Sequence, residues 1–231
     1  MKVALAERLL EARAAGRRAC LVRFLRTGEE ALVVAGEQVI GPDLPDAVLD
    51  AIETAHRYDR STTIATEAGP VFLQVFNPPL RLIVVGAVHI AQALVPMAAL
   101  AGYAVTVIDP RRGFATAERF PNTTLLDAWP DEAMESLAPD LRTAVVTLTH
   151  DPKLDDPALD VALRSEAFYI GALGSKRTHA ARLERLAAMG HGPAALARIH
   201  GPAGLDIGAV SPAEIAISIL AEMTRVLRCE G

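Results

Sequence analysis

The sequence predicts an α/β protein: a small α+β domain over residues 1–78, then a Rossmann-like parallel-sheet domain over residues 79–231. Three observations predict it. Beyond residue 80, short β-branched runs alternate with helix-compatible stretches, the pattern of right-handed βαβ crossovers. The first of these runs ends in Gly86, and small and apolar residues then open a helix. The composition is 51% apolar and only 4% aromatic. That suits helices on a parallel sheet better than a β-sandwich.

Residues 1–16 place Leu5, Leu9 and Leu10 among Glu7, Arg8, Glu11 and Arg13, an amphipathic helix. Ala19–Leu25 and Ala31–Val34 form a hairpin around Thr27-Gly28-Glu29. Asp46 caps a helix to about Tyr58, and strands follow at Thr62–Thr66 and Val71–Val75. Asn77-Pro78-Pro79 breaks the pattern and marks the domain boundary, because two prolines remove two backbone donors and favour extended chain. The second domain reads as strand Arg81–Val85, a helix to Gly102, then strands Ala104–Ile108, Thr123–Leu126 and Thr143–Thr149. A helix from about Pro157 to Arg164, strand Ala167–Gly171 and helices Lys176–Met189 and Pro212–Arg228 complete it. Ser211-Pro212-Ala213-Glu214 fits a capping box with proline at the first helical position.

A net charge of −5 argues against a general nucleic-acid surface, which needs clustered Lys and Arg. The two cysteines, Cys20 in a predicted strand and Cys229 in the tail, suggest neither a metal cluster nor a disulfide framework. No stretch reaches the roughly 18 apolar residues of a membrane span, and the N-terminus lacks the form of a signal peptide. A cytoplasmic protein is the expectation.

Gly86-Ala87-Val88-His89-Ile90-Ala91 stands where a dinucleotide fold carries Gly-x-Gly-x-x-Gly/Ala. Gly86 supplies the tight turn and Ala91 permits close packing, but Val88 obstructs the approach of a pyrophosphate. Asp109 stands about 20 residues on, where an acid holds a ribose hydroxyl. These residues predict the fold and disfavour NAD(P). His89, in the first helical turn, either donates to an anion or fills the turn.

Ligands of open parallel sheets bind outside the carboxyl ends of the strands, and the polar residues gather there. Asp109-Pro110-Arg111-Arg112 follows one strand, and Thr147 to Asp151 another. His150-Asp151 is either an acid–base pair or a cap. Gly171-Ala172-Leu173-Gly174-Ser175-Lys176-Arg177 follows a third strand. There Ser175 caps the coming helix, while Lys176 and Arg177 oppose its dipole unless they share an anion with its free N–H groups. A solvated basic turn is the alternative. His200 to Gly208 forms a glycine-rich loop, long enough to line a ligand site.

Arg119-Phe120-Pro121, Thr147–Asp151, Tyr169–Arg177, Ile199–Gly208 and Glu214-Ile215-Ala216 with Ala221-Glu222 resemble motifs of the XdhC/CoxI family, from about Leu80 to Arg228. The resemblance implies a xanthine dehydrogenase accessory protein, more a maturation factor than an enzyme. It would bind the molybdenum cofactor, a molybdopterin, and deliver it to an apo molybdenum hydroxylase, with a sulfurase as a further partner. The implied cofactor-binding residues are Gly86, His89, Asp109, Arg111, His150, Asp151, Gly171, Gly174, Ser175, Lys176, Arg177, His200, Gly204 and Asp206. No metal ligands are expected, nor a nucleic-acid or membrane partner, and a homodimer is the expected assembly. Val88 departs from the family's Gly-x-Gly-His turn, and Ile40-Gly41-Pro42-Asp43 lacks the cysteine of the family's N-terminal glycine-rich loop. An NAD(P)-dependent oxidoreductase and a ligand-free docking module are the competing readings.

Overall fold

The computed structural model describes residues 3–111 and 113–229, the last without its side chain. Arg112, the start of the N-terminal segment at Met1 and the Cys229 thiol therefore lie outside the described residues. The chain divides into two compact units, Met1–Pro78 and Pro79–Gly231.

The first unit runs α1 (Val3–Ala14), β1 (Ala19–Phe24), β2 (Glu30–Val34), β3 (Glu37–Ile40), α2 (Asp46–Arg57), β4 (Thr62–Thr66) and β5 (Gly69–Phe76). Its strands pair antiparallel in the order β3-β2-β1-β5-β4. Alternation along the strands feeds both faces. Cys20, Val22, Ala31 and Val33 meet Val48 and Ile52 of α2, whereas Ala19, Leu21, Leu32 and Val34 meet Leu5 and Leu9 of α1. Asp46 is the first helical residue and not the cap; Pro45 occupies the cap, with φ −60° and ψ 149°. Proline's fixed φ suits the extended cap conformation, and the Asp46 charge still favours the helix N-terminus. Asn77 ties the end of this unit to its own helix, through His56 O at 3.0 Å and His56 Nδ1 at 2.7 Å.

The second unit runs β6 (Leu80–Val85), α3 (His89–Leu100), β7 (Tyr103–Ile108), β8 (Thr124–Leu126), α4 (Pro130–Leu137), β9 (Thr143–Thr147), α5 (Pro152–Arg164), β10 (Tyr169–Ala172), α6 (Lys176–Ala188), α7 (Pro193–Leu196), β11 (Ile199–His200) and α8 (Pro212–Cys229). Its six strands are parallel, in the order β11-β10-β9-β6-β7-β8. Counted from the first, that is the 3-2-1-4-5-6 order of the dinucleotide-binding fold. Leu82, Val84 and Val146 pack under α3 and α8; Ile83, Val85, Val145 and Ile170 pack under α4, α5 and α6. Strands buried on both faces explain the unbroken apolar runs in the sequence.

Helix α5 starts at Pro152, five residues before the expected Pro157. Two prolines compete for the first helical position, and Asp151 decides between them by accepting a bond from Lys153 N at 3.0 Å. Pro157 sits inside the helix, forfeiting one backbone bond. The short elements β3, α4, α7 and β11 carry too little periodicity to be anticipated. At α8 the capping box forms as expected: Glu214 accepts from Val210 and Ser211 N–H, each at 2.8 Å.

Candidate functional site

Strand β6 lies at the centre of the parallel sheet, and crossovers leave it in opposite directions, so the carboxyl ends of β6 and β9 bound the crevice where ligands of this fold bind. Gly86 ends β6 with φ +106°, a conformation that L side chains rarely adopt, and a Cβ there would stand 2.5 Å from Thr149 Cγ2. The loops after β6 and β9 therefore touch, and only glycine fits between them.

The turn after Gly86 is tied down. Ala87 N–H donates to Asp109 Oδ2 at 2.8 Å, and Asp109 also accepts from Arg111 N, Nε and Nη2 at 3.0, 2.8 and 2.7 Å. Burial pushes the Asp109 carboxyl up, but the Arg111 guanidinium and the two backbone N–H groups outweigh it and hold it below the usual carboxylate range. The Arg111 guanidinium is raised in turn, first by that bond, and lies 4.3 Å over the Phe114 ring. Asp109 thus faces inward as a brace for the first turn, where the sequence suggested an outward acceptor for a ribose. The reason is that the carboxylate stands at a strand end where the turn after the neighbouring strand brings Ala87 N–H and an arginine lies two residues on, and these partners saturate it. Val88 is the helix cap residue, and it offers no side-chain hydrogen bond.

Across the crevice, Thr149 N and Oγ1 donate to Asp155 Oδ1 at 3.3 and 2.7 Å. Asp155 is 1% exposed, and its other oxygen lies 3.6 Å from Nη2 of Arg182, itself 2% exposed. Burial pushes the Asp155 carboxyl up, against the pull of Thr149 and Arg182, and pushes the Arg182 guanidinium down. His150 lies between these residues on exposed backbone at φ +62°. Asp151 is a helix cap, one of the two roles read for the pair.

The β10–α6 turn carries the positive charge. Gly171 is buried, and a Cβ on it would meet the Tyr169 ring at 2.7 Å. Gly174 turns the chain at φ +146°, and Ser175 caps α6 by accepting from Thr178 N at 3.1 Å. Lys176 and Arg177 open the helix as exposed side chains. Behind them, Arg182 Nη2 donates to Leu173 O at 2.8 Å.

The loop after β11 is organised by a residue that the sequence reading left out of the site, Glu222 of α8. Its Oε2 accepts from Tyr169 OH at 2.7 Å and from Gly204 N at 2.8 Å, and its Oε1 lies 3.5 Å from His200 Nδ1. The His200 ring stacks on Tyr169 at 4.7 Å. Burial, with Glu222 beside it, pushes the Tyr169 phenol far above its ordinary value.

Gly86, Asp109, Arg111, His150, Asp151, Gly171, Gly174, Ser175, Lys176, Arg177 and His200 therefore all stand at carboxyl ends of the sheet, with His89 exposed at the start of α3. Gly204 joins them through Glu222, whereas Asp206 is exposed further along the loop. Asp155, Arg182 and Glu222 are the additions. Each carried a signal: a lone charge in the apolar stripe of its helix, three or four residues from Ala158 and Leu159, from Leu186, and from Ile219.

A model of the XdhC Rossmann domain matches residues 82–223. Three curated relatives are similar. "Uncharacterized protein YqeB" of Escherichia coli K12 is 37% identical over 68% of this chain and 29% of its own length. A Bacillus subtilis protein named as a probable xanthine dehydrogenase subunit is 33% identical over 78% and 52%. "Molybdenum cofactor insertion chaperone PaoD" of Escherichia coli K12 is 32% identical over 65% and 41%. The chain thus spans about half or less of the length of these relatives. A crystal structure described as a xanthine dehydrogenase from Bacillus halodurans superposes with a TM-score of 0.75 at 26% identity, covering 96% of this chain and 66% of that one.

Proposed function

This chain belongs to the XdhC family, and we propose that it is an accessory protein that binds molybdenum cofactor at the carboxyl edge of its parallel sheet and delivers it to a xanthine dehydrogenase-type molybdenum hydroxylase. The observation that carries the reading is the β10–α6 turn. Lys176 and Arg177, exposed at a helix N-terminus beside free turn N–H groups, suit the phosphate of a molybdopterin. The similarity to a molybdenum cofactor insertion chaperone supports the choice of cargo.

Of the proposed contacts, Ser175, Lys176, Arg177 and Gly174 hold the phosphate. Gly86, His89, His150 and Asp151 line the opposite wall, and Gly171, His200, Gly204 and Asp206 belong to the far rim. Asp109 and Arg111 act from behind, by fixing the first turn. No covalent step is assigned to the chain: it binds, orients and releases. The apo-hydroxylase and a sulfurase are the proposed partners, and a homodimer the proposed assembly. An NAD(P)-dependent oxidoreductase is disfavoured by Val88, whose side chain stands where a glycine lets the backbone approach a pyrophosphate, and by Asp109, whose carboxylate is already engaged by Ala87 N–H and Arg111.

The test is equilibrium ultrafiltration of purified molybdenum cofactor with the full chain, with NAD and NADP titrated in parallel. Saturable cofactor retention is expected. A Lys176→Ala/Arg177→Ala variant should retain it at least about tenfold more weakly, the loss of roughly one charge-assisted contact, with an unchanged melting temperature. A double variant that binds as tightly as wild type removes the phosphate from this turn. Nicotinamide binding with no cofactor retained overturns the reading.

A further inference from the structure

Among the described residues, five buried side-chain polar atoms lack a hydrogen-bond partner: Thr147 Oγ1, Asp155 Oδ2, His179 Nδ1, Arg182 Nε and Arg182 Nη1. Such groups are rare in folded proteins, and each calls for a physical reason. Here all four residues gather about the carboxyl ends of β9, β10 and β11. Thr147 ends β9 on the same face as Val145, the face covered by α5 and α6. Asp155 lies in the first turn of α5, and Arg182 one turn before Leu186 on the inner side of α6. His179 packs against Gly201, just beyond β11, so closely that no Cβ would fit there.

Asp155 and Arg182 also complete a physical chain between the two walls of the crevice. Gly86 rests on the Thr149 methyl, and Thr149 is held twice by Asp155 Oδ1. Asp155 Oδ2 faces Arg182 Nη2 at 3.6 Å, and that same Nη2 holds Leu173 O at 2.8 Å, at the entry to the basic turn. Every link is buried or half-buried. As a contribution to stability this is poor design, since a buried ion pair at 3.6 Å is too long for a hydrogen bond and leaves three of its polar atoms unmatched. The same two helices already carry a better bridge, Asp156 with the half-exposed Arg185 through two bonds of 2.5 and 3.0 Å. Unlike that bridge, the inner pair reaches both loops.

We propose that Asp155 and Arg182 are a positioning pair, which sets the Thr149 loop and the Leu173–Arg177 turn at a fixed separation and so holds the crevice in the geometry that receives the cofactor. The last clause rests on the proposed cofactor reading; the positioning itself does not. Thr149 presents Gly86 and the first turn from one side, and Leu173 presents Ser175, Lys176 and Arg177 from the other. Neither Asp155 nor Arg182 touches the cargo. Because each is the other's ion-pair partner among the described residues, removing one leaves a buried charge uncompensated, whereas removing both leaves a neutral interior.

The experiment compares wild type, Asp155→Asn, Asp155→Asn/Arg182→Met and, as a control on the neighbouring bridge, Arg185→Ala in the full chain. Amide hydrogen exchange over residues 86–92, 148–151 and 171–178 is read beside molybdenum cofactor retention. The double variant is expected to melt near wild type, since a neutral interior replaces the ion pair. Its exchange over 171–178 should accelerate at least about tenfold, with cofactor retained at least about tenfold more weakly. Asp155→Asn keeps an acceptor for Thr149, so residues 148–151 should stay protected while 171–178 loosens. Unchanged exchange over 171–178 in both variants, or equal acceleration by Arg185→Ala, overturns the proposal. A wild type that retains no cofactor overturns the cofactor reading instead, and the exchange data still decide the positioning.

Discussion

Asp109→Ala tests the brace behind the first turn. The Asp109 side chain is wholly inaccessible and Ala87 is fully buried, so the substitution leaves the Ala87 N–H without an acceptor in a dry setting. An orphaned buried donor costs about 1–3 kcal/mol. The Arg111 guanidinium is 37% accessible, so water takes over its bonds and their loss adds only about 0–1 kcal/mol. The missing carboxylate volume adds roughly another 0.5 kcal/mol. The sum is about 1.5–4.5 kcal/mol, or a fall of roughly 3–18 °C in melting temperature for a chain of this size.

Acid unfolding gives the same test a second axis. The Asp109 carboxyl lies below its ordinary value in the folded state, so the unfolded chain takes up the proton first as pH falls. Its contribution is therefore complete above the ordinary carboxylate range and is lost as pH drops through the depressed folded value. Wild type should show that loss in urea titrations at falling pH; Asp109→Ala should show less of it. A variant within about 0.5 kcal/mol of wild type at neutral pH, with the same acid slope, would refute the account of the brace.

Two further outcomes follow from the same packing. Gly204→Ala places a Cβ against Ser218 Oγ and 3.1 Å from Ile219 N, on backbone at φ +101°, and should cost about 1–3 kcal/mol while loosening the His200 loop in hydrogen exchange; an unchanged melt would show that this loop yields freely. Burial pushes the Cys20 thiol up to about 12, so in a Cys229→Ser background it should react with a disulfide reagent only after unfolding, and rapid reaction at pH 8 would contradict its place in the core.

Much of the second unit was legible because parallel strands buried on both faces write themselves as apolar runs, and Gly86, Gly174 and Ser175 sit where backbone geometry admits few alternatives. The basic turn was legible for the same reason: Lys176 and Arg177 stand where a helix dipole disfavours them. What escaped is long-range. Nothing local says that Asp109 will meet Ala87 N–H, or that Glu222 will reach Tyr169 and Gly204 from another helix. Asp155 and Arg182 were hidden by the same distance in sequence, although each interrupts an apolar stripe. The start of α5 is ambiguous in the sequence because Pro152 and Pro157 both resemble a first helical residue, and only the Asp151 cap bond separates them.

The two edges of the parallel sheet are very short: β8 has three residues and β11 only two. A row of free N–H and C=O groups along an outer strand is a template for another chain, and here the row ends almost as soon as it begins. The long apolar strands that would be most prone to such recruitment, β6 and β9, are enclosed between neighbours on both sides. The loops at the carboxyl ends of these strands can then loosen repeatedly without exposing a sticky strand to the next copy.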